Sequence, residues 1–317
     1  MKQRFFLFTI ALCLAGTGLF ASGAQEGDSD SAEPAKGPVL VASKIDTEGA
    51  LLGNIIKLSL ENEGFEVTDK ISFGPTDVVR RAIINGEIDI YPDYTGNGAF
   101  FFNQSESDVW KDRMKGFETV ARLDYEANKI VWLTPAPANN TWAICVRKDL
   151  ADAEGLKTLE DLADYVNGGG NLKLAGSEEF ASRPDSLPAF EAAYGFKLGK
   201  EQLLILSGGN TSQTEQAAAR QTEGVNAAMA YGTDGQLAAL GLVVLEDSLG
   251  VQPVYEPAPL VRSEVFMKYP ELESILKPVF ESLSLETLQA LNSAIAVEGR
   301  NASDVAEEYL KEKGFID

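Results

Sequence analysis

Apolar runs of strand length alternate with helix-period segments between residues 39 and 94, and that order admits few folds. Residues 39–42 read as a strand, and Thr47 or Asp46 can cap a helix carrying Leu51, Leu52, Ile55, Ile56 and Leu58 at helical spacing. Residues 66–72 are strand-like, and Thr76 or Asp77 opens a second helix that stops at Asn85-Gly86. Residues 87–91 then form a short apolar strand, with Pro92 ending its ladder and residues 93–98 supplying a turn. Strand, helix, strand, helix, strand requires crossover connections, hence an α/β fold with a mostly parallel sheet flanked by helices. Ligands bind such sheets outside the carboxyl ends of the strands, which places Tyr94 at a cleft.

The alternation restarts further on. Residues 110–128 have helical periodicity and 130–133 are a strand; Pro135-Ala-Pro-Ala-Asn-Asn-Thr141 follows as a rigid, exposed connection before a strand at 142–147. A proline-rich turn before a fresh strand marks a crossing into a second lobe. There, helices are expected at 159–166, 187–194, 214–221 and 234–240, and strands at 172–176, 203–206 and 225–231. Residues 242–246 and 250–255 are extended, and 258–262 return the chain to the first lobe. Helices at 270–282, 285–296 and 302–313 should pack back on it. The expected organisation is therefore an export signal at 1–24, a flexible tether at 25–37, a first lobe from 38–141 plus 253–317, and a second from 142–252. One internal echo links the lobes: helix, glycine, polar residue, strand and tyrosine occur at 78–86, Asp89 and Tyr94, and again at 214–224, Asn226 and Tyr231.

Lys2 and Arg4 precede an apolar run over residues 5–19 and then small residues to Ala24, the pattern of an export signal cleaved after Ala24. A periplasmic protein is expected. A membrane-anchored lipoprotein is the alternative, because Cys13 lies in the run, although Leu12 stands where lipidation favours a small residue. Loss of the signal takes the formal charge from −21 to −23, since Lys2 and Arg4 leave and no acid does. So acidic a chain disfavours nucleic acid and anionic lipid. There is no histidine, which removes His-assisted serine or cysteine catalysis and the commonest metal ligand. No calcium-loop spacing and no GxxxxGK[ST] phosphate loop occurs, so neither metal, cofactor nor enzymatic activity is expected. Cys145, the one cysteine outside the signal, reads as a small buried hydrophobe.

Four aromatics stand at strand ends or connections: Tyr94, Trp142, Tyr231 and Tyr255. With their surroundings they carry a family resemblance. The segments are Ala42-Ser-Lys-Ile45, Gly86-Glu-Ile-Asp-Ile-Tyr-Pro-Asp-Tyr-Thr-Gly96, Asn139-Asn-Thr-Trp-Ala143, Glu179-Phe-Ala-Ser-Arg-Pro-Asp185, Ala230-Tyr-Gly-Thr-Asp234 and Tyr255-Glu-Pro-Ala-Pro-Leu-Val-Arg262. In this order the chain resembles the osmoprotectant receptors of ABC importers, the glycine betaine and choline-binding proteins of the ProX/OsmF type. The resemblance implies a bilobal periplasmic binding protein fold with two crossovers (type II) that closes on a ligand. It implies an aromatic cage at Tyr94, Trp142, Tyr231 and Tyr255, basic contacts for a carboxylate at Lys44 and Arg183, and an altered polar contact at Asn97. Trp142 replaces a tyrosine common in the family and keeps the π face. Cation–π attraction suits a quaternary ammonium, which cannot donate a hydrogen bond. The implied function is capture of glycine betaine or a related quaternary amine for an ABC permease by a monomeric receptor. Choline, an amino acid or another small cation remains the alternative ligand. Glu48 and Asp77, acids at helix starts, are read as serving the helix dipole and stay outside this site, although either could favour a wholly cationic ligand such as choline.

Overall fold

The structure, a computed structural model, describes residues 36–208 and 210–317. The export signal and all of the tether but Lys36 and Gly37 lie outside the described residues; those two residues already belong to the first strand. The first sheet is built from β1 (Lys36–Lys44), β2 (Phe65–Gly74), β3 (Ile90–Tyr94), β4 (Ile130–Trp132) and β10 (Pro257–Arg262), in the order β2-β1-β3-β10-β4. The second comprises β5 (Trp142–Arg147), β6 (Leu174–Ser177), β7 (Leu203–Leu206), β8 (Ala227–Tyr231) and β9 (Leu242–Val244), in the order β7-β6-β8-β5-β9. The two orders are the same pattern. Three strands joined through helices run parallel, and the strand that arrives from the other lobe, β10 or β5, inserts antiparallel between the third and the edge strand. Both sheets are therefore mixed, because a chain entering by a crossover has no helix to reverse it.

Helix α1 (Thr47–Asn62) shows how the sequence sets these elements. Asp46 caps it by accepting from the Gly49 amide at 2.8 Å. Leu51, Leu52, Ile55 and Ile56 recur on one face and are fully buried under the first sheet. Four such side chains contribute about 1.5–3 kcal/mol each on burial. The other side of α1 is covered by the tail helices α11 (Glu271–Glu281), α12 (Leu285–Ala296) and α13 (Ala302–Glu312). The tail reaches further than expected. Gln289 and Asn292 of α12 donate to the carbonyls of Gly232 and Thr233, in the loop after β8, at 2.9 and 3.1 Å.

Several local readings are corrected. Pro92 lies inside β3, directly opposite Pro259 of β10, a pairing possible only where the ladder calls on neither amide. The expected turn is confined to Thr95 and Gly96; from Asn97 the stretch continues as a short helix, α3 (Asn97–Phe101). The helix read from residue 110 begins as a 3-10 turn, Asp108–Lys111, and only after Asp112 continues as α4 (Arg113–Asn128), which Asp112 caps. Residues 234–240 form turns and no helix, since the Asp234 side chain folds back to accept from the Tyr231 amide at 2.6 Å. The 135–141 connection is half-buried: its backbone pairs with the returning segment through Ala136 N to Pro257 O and Asn140 N to Tyr255 O, both 2.8 Å. Cys145 is buried in β5, where desolvation pushes its thiol pKa up, as a packing residue requires.

Candidate functional site

Tyr94 is the last residue of β3 and Tyr231 the last of β8, the same position in the two sheets. Beside each, the crossing chain brings a second aromatic. Trp142 opens β5 directly opposite Tyr231, and Tyr255 lies just ahead of β10, whose Pro257 pairs with Tyr94. The Trp142 ring packs tilted against Tyr231, 4.7 Å between centroids at 43°, and against Phe180 of α7 (Glu178–Ser182), 5.2 Å at 39°. Close approach of Tyr255 depends on Gly96: a Cβ there would fall 2.8 Å from the Tyr255 ring.

The seven residues singled out from the sequence, Lys44, Tyr94, Asn97, Trp142, Arg183, Tyr231 and Tyr255, all line one cleft between the lobes. Lys44 ends β1. Its ammonium sits 4.0 Å from the centroid of the Tyr94 ring and 3.5 Å from Asp93, so it already makes a cation–π contact there. Asn97 donates to Asp93 at 2.6 Å and accepts from Arg183 at 3.0 Å, joining first sheet to second lobe. Arg183 ends α7 and is clamped by Asp185, its Nε and Nη2 reaching the two carboxylate oxygens at 2.8 and 2.7 Å. Burial opposes the Arg183 charge, but Tyr255, Asp185 and Glu179 more than offset it and hold its pKa well above the usual guanidinium value. The lining side chains leave about 20 Å³ between them, room for roughly one water molecule, so a larger ligand enters only if the lobes part.

Sequence reasoning missed a ring of acids. Asp46 and Glu179 line the cleft, and Thr76 and Asn140 join them. Asp93 and Asp185 stand immediately behind, fully or almost fully buried. Asp77 is exposed and paired with Arg81 at 2.7 Å, as a helix-start acid should be. Glu48 is not. It is buried at the hydroxyl end of Tyr94, accepting from Tyr94 Oη and Asn140 Nδ2 at 2.8 Å each and from Asn292 Nδ2 at 2.6 Å. Its position in the first turn of α1 resembles that of any dipole-serving acid, and only the tertiary fold distinguishes it. Among the described residues no group of His, Cys, Asp and Glu could hold a metal ion, and no helix is long and apolar enough to cross a membrane.

The arrangement can surround a small cation with π faces and carboxylates and offer a lysine and an arginine nearby. The family model described as the substrate binding domain of ABC-type glycine betaine transport system matches residues 37–312. A glycine betaine-binding protein of Escherichia coli (strain K12), YehZ, is 59% identical over 281 residues, covering 89% of this chain and 92% of that protein. A glycine-betaine-binding protein of Pseudomonas aeruginosa is 30% identical over 313 residues, covering 97% of this chain and 95% of the relative. The solved structure of apo YehZ covers 88% of this chain and 99% of its own, with a TM-score of 0.65.

Proposed function

The chain belongs to the family of substrate-binding domains of ABC-type glycine betaine transport systems, and from that premise we propose that it captures glycine betaine, or a related quaternary ammonium osmoprotectant, in an aromatic cage between its lobes and delivers it to an ABC permease. It is a transport receptor and not an enzyme, as its relatives are. Receptors of this family work outside the cytoplasm; we place this one in the periplasm, as a monomer that binds no nucleic acid.

The observation that carries the ligand is the convergence of Tyr94, Trp142, Tyr231 and Tyr255 from four separate segments on one cleft. Packing alone does not require four aromatics at matched strand ends of two sheets. Each π face contributes about 0.5–2 kcal/mol to a desolvated cation, so several together supply useful affinity. Lys44 and Arg183 supply the positive side for a carboxylate. We take residues 38–141 with 253–317 to move as one lobe and 142–252 as the other, hinged on the paired segments around Asn140 and Tyr255. Titration calorimetry with glycine betaine tests the cage. Trp142→Ala and Tyr231→Ala should each weaken binding at least tenfold while the circular dichroism spectrum stays unchanged; undiminished affinity in both variants would remove the cage.

A second reading, choline in place of betaine, is favoured by one feature. The cleft carries Asp46 and Glu179 on its lining, and a ligand without a carboxylate leaves the contacts of Arg183 undisturbed.

A further inference from the structure

Arg183 has five N–H groups, and every one has an acceptor within the protein. Besides the two bonds to Asp185, Nη2 reaches Tyr255 Oη at 3.3 Å, and Nη1 donates to Asn97 Oδ1 at 3.0 Å and to Glu179 Oε1 at 2.7 Å. A ligand carboxylate can bind Arg183 only by taking one of these places. Asp185, Tyr255 and Asn97 are buried, and Asn97 is itself pinned by Asp93. Glu179 differs from all three. Its side chain is 23% exposed, it stands on a five-residue helix, and it borders a neighbouring cavity of about 330 Å³ into which it can turn. Its second oxygen accepts from Thr76 Oγ1 at 3.2 Å, so the same carboxylate ties the second lobe to the first.

We propose that Glu179 is a specificity-determining residue: an internal carboxylate that a ligand's carboxylate must displace from Arg183, and whose charge favours a quaternary amine that has none. The proposal rests on the quaternary-amine reading of the cleft. A zwitterion such as glycine betaine gains the guanidinium only after Glu179 has left it, and then lies beside a displaced negative charge. A cationic alcohol such as choline leaves Glu179 in place and is attracted by it and by Asp46 across a poorly solvated gap, where charge pairs are weakly screened. Discrimination between the two ligands then depends on one side chain that neither packs the core nor forms the aromatic walls.

Glu179→Gln keeps an oxygen for Arg183 and an amide that can donate to Thr76 Oγ1 but removes the charge; Glu179→Ala removes the charge and both contacts. Calorimetry on the mature protein with glycine betaine and with choline reads the ratio of the two dissociation constants, with Trp142→Ala as the control for the cage. Both Glu179 variants are expected to move that ratio at least fivefold in favour of betaine, through tighter betaine and weaker choline binding. Because the two variants differ in whether the Thr76 bridge survives, a common shift belongs to the charge. A shift below fivefold, an equal loss for both ligands, or a shift toward choline overturns the role of Glu179 while the cage stands. Folded wild-type protein that binds neither ligand overturns both readings together.

Discussion

Burial raises the carboxyl pKa of Glu48 from 4.5 to about 7; hydrogen bonds from Asn292 and Tyr94 pull it back only in part, and Asp46 adds repulsion. The groups that face it come from every neighbouring element: Asp46 at the start of α1, Tyr94 on β3, Asn140 between the lobes, Thr233 after β8 and Asn292 on α12. Beyond the Tyr94 ring lies the Lys44 ammonium. A folded-state pKa above the unfolded one means that the native protein holds the extra proton between about pH 4.5 and 7. Stability associated with Glu48 is thus fully present below that window and is lost as pH rises through it, by up to about 3 kcal/mol. Binding runs the other way: an ionised Glu48 accepting from the Tyr94 hydroxyl favours a cation over the Tyr94 ring, so affinity should climb as pH rises through 7. Asp234, beside Glu215, is also raised, chiefly by burial, so the difference between wild type and Glu48→Gln is the quantity to read. Thermal unfolding from pH 5 to 8 should show the wild type losing stability relative to Glu48→Gln, and betaine affinity should rise several-fold over the same range in wild type only. Parallel curves for the two proteins would show that Glu48 stays ionised throughout.

Elements, in this fold, place side chains through where strands end and how closely backbone can approach. The short helix α3 begins against the Tyr255 ring, and Gly96 has an ordinary φ of −63°, so its missing Cβ serves space and not backbone freedom. Gly96→Ala should push Tyr255 out of the cleft and weaken betaine binding at least tenfold, with the fold retained; unchanged affinity would mean that Tyr255 takes no part in the cage. The strand and helix order was legible because period-two and helix-period patterns are local, and α1, α8 (Leu187–Tyr194) and α12 fall where periodicity put them. The echo between Tyr94 and Tyr231 was legible for the same reason, since each ends the third strand of its sheet. The antiparallel insertion of β5 and β10 was not, because pairing with β8 and β3 is decided by residues far apart in the chain. Nor was the acid ring. Asp93 directly precedes Tyr94 and Asp185 follows Arg183 by two residues, so adjacency to a candidate was an available signal, but burial, which makes them matter, is a tertiary property.

At the scale of the whole molecule, two sheets of one pattern present their strand ends to a shared cleft, and two backbone segments connect them. Those segments run side by side and bond each other, with Tyr255 N donating to the Asn139 side chain at 2.8 Å and Thr141 Oγ1 to Pro253 O at 3.3 Å. Paired connections of this kind suit a hinge that opens along one direction. Hydrogen bonds across the cleft, among them Arg183 to Asn97, Arg183 to Tyr255 and Thr76 to Glu179, are contacts that opening would break. On the proposed cage, a ligand enclosed in this way is recognised by what its ammonium group presents to four π faces. That claim is tested most directly by calorimetry along one methylation series, glycine, sarcosine, dimethylglycine and glycine betaine, in which the carboxylate stays constant. The expected result is affinity that climbs with methylation, with glycine betaine bound at least tenfold more tightly than glycine. Glycine bound as tightly as glycine betaine would contradict it, because the cleft would then be recognising an amine by its N–H groups.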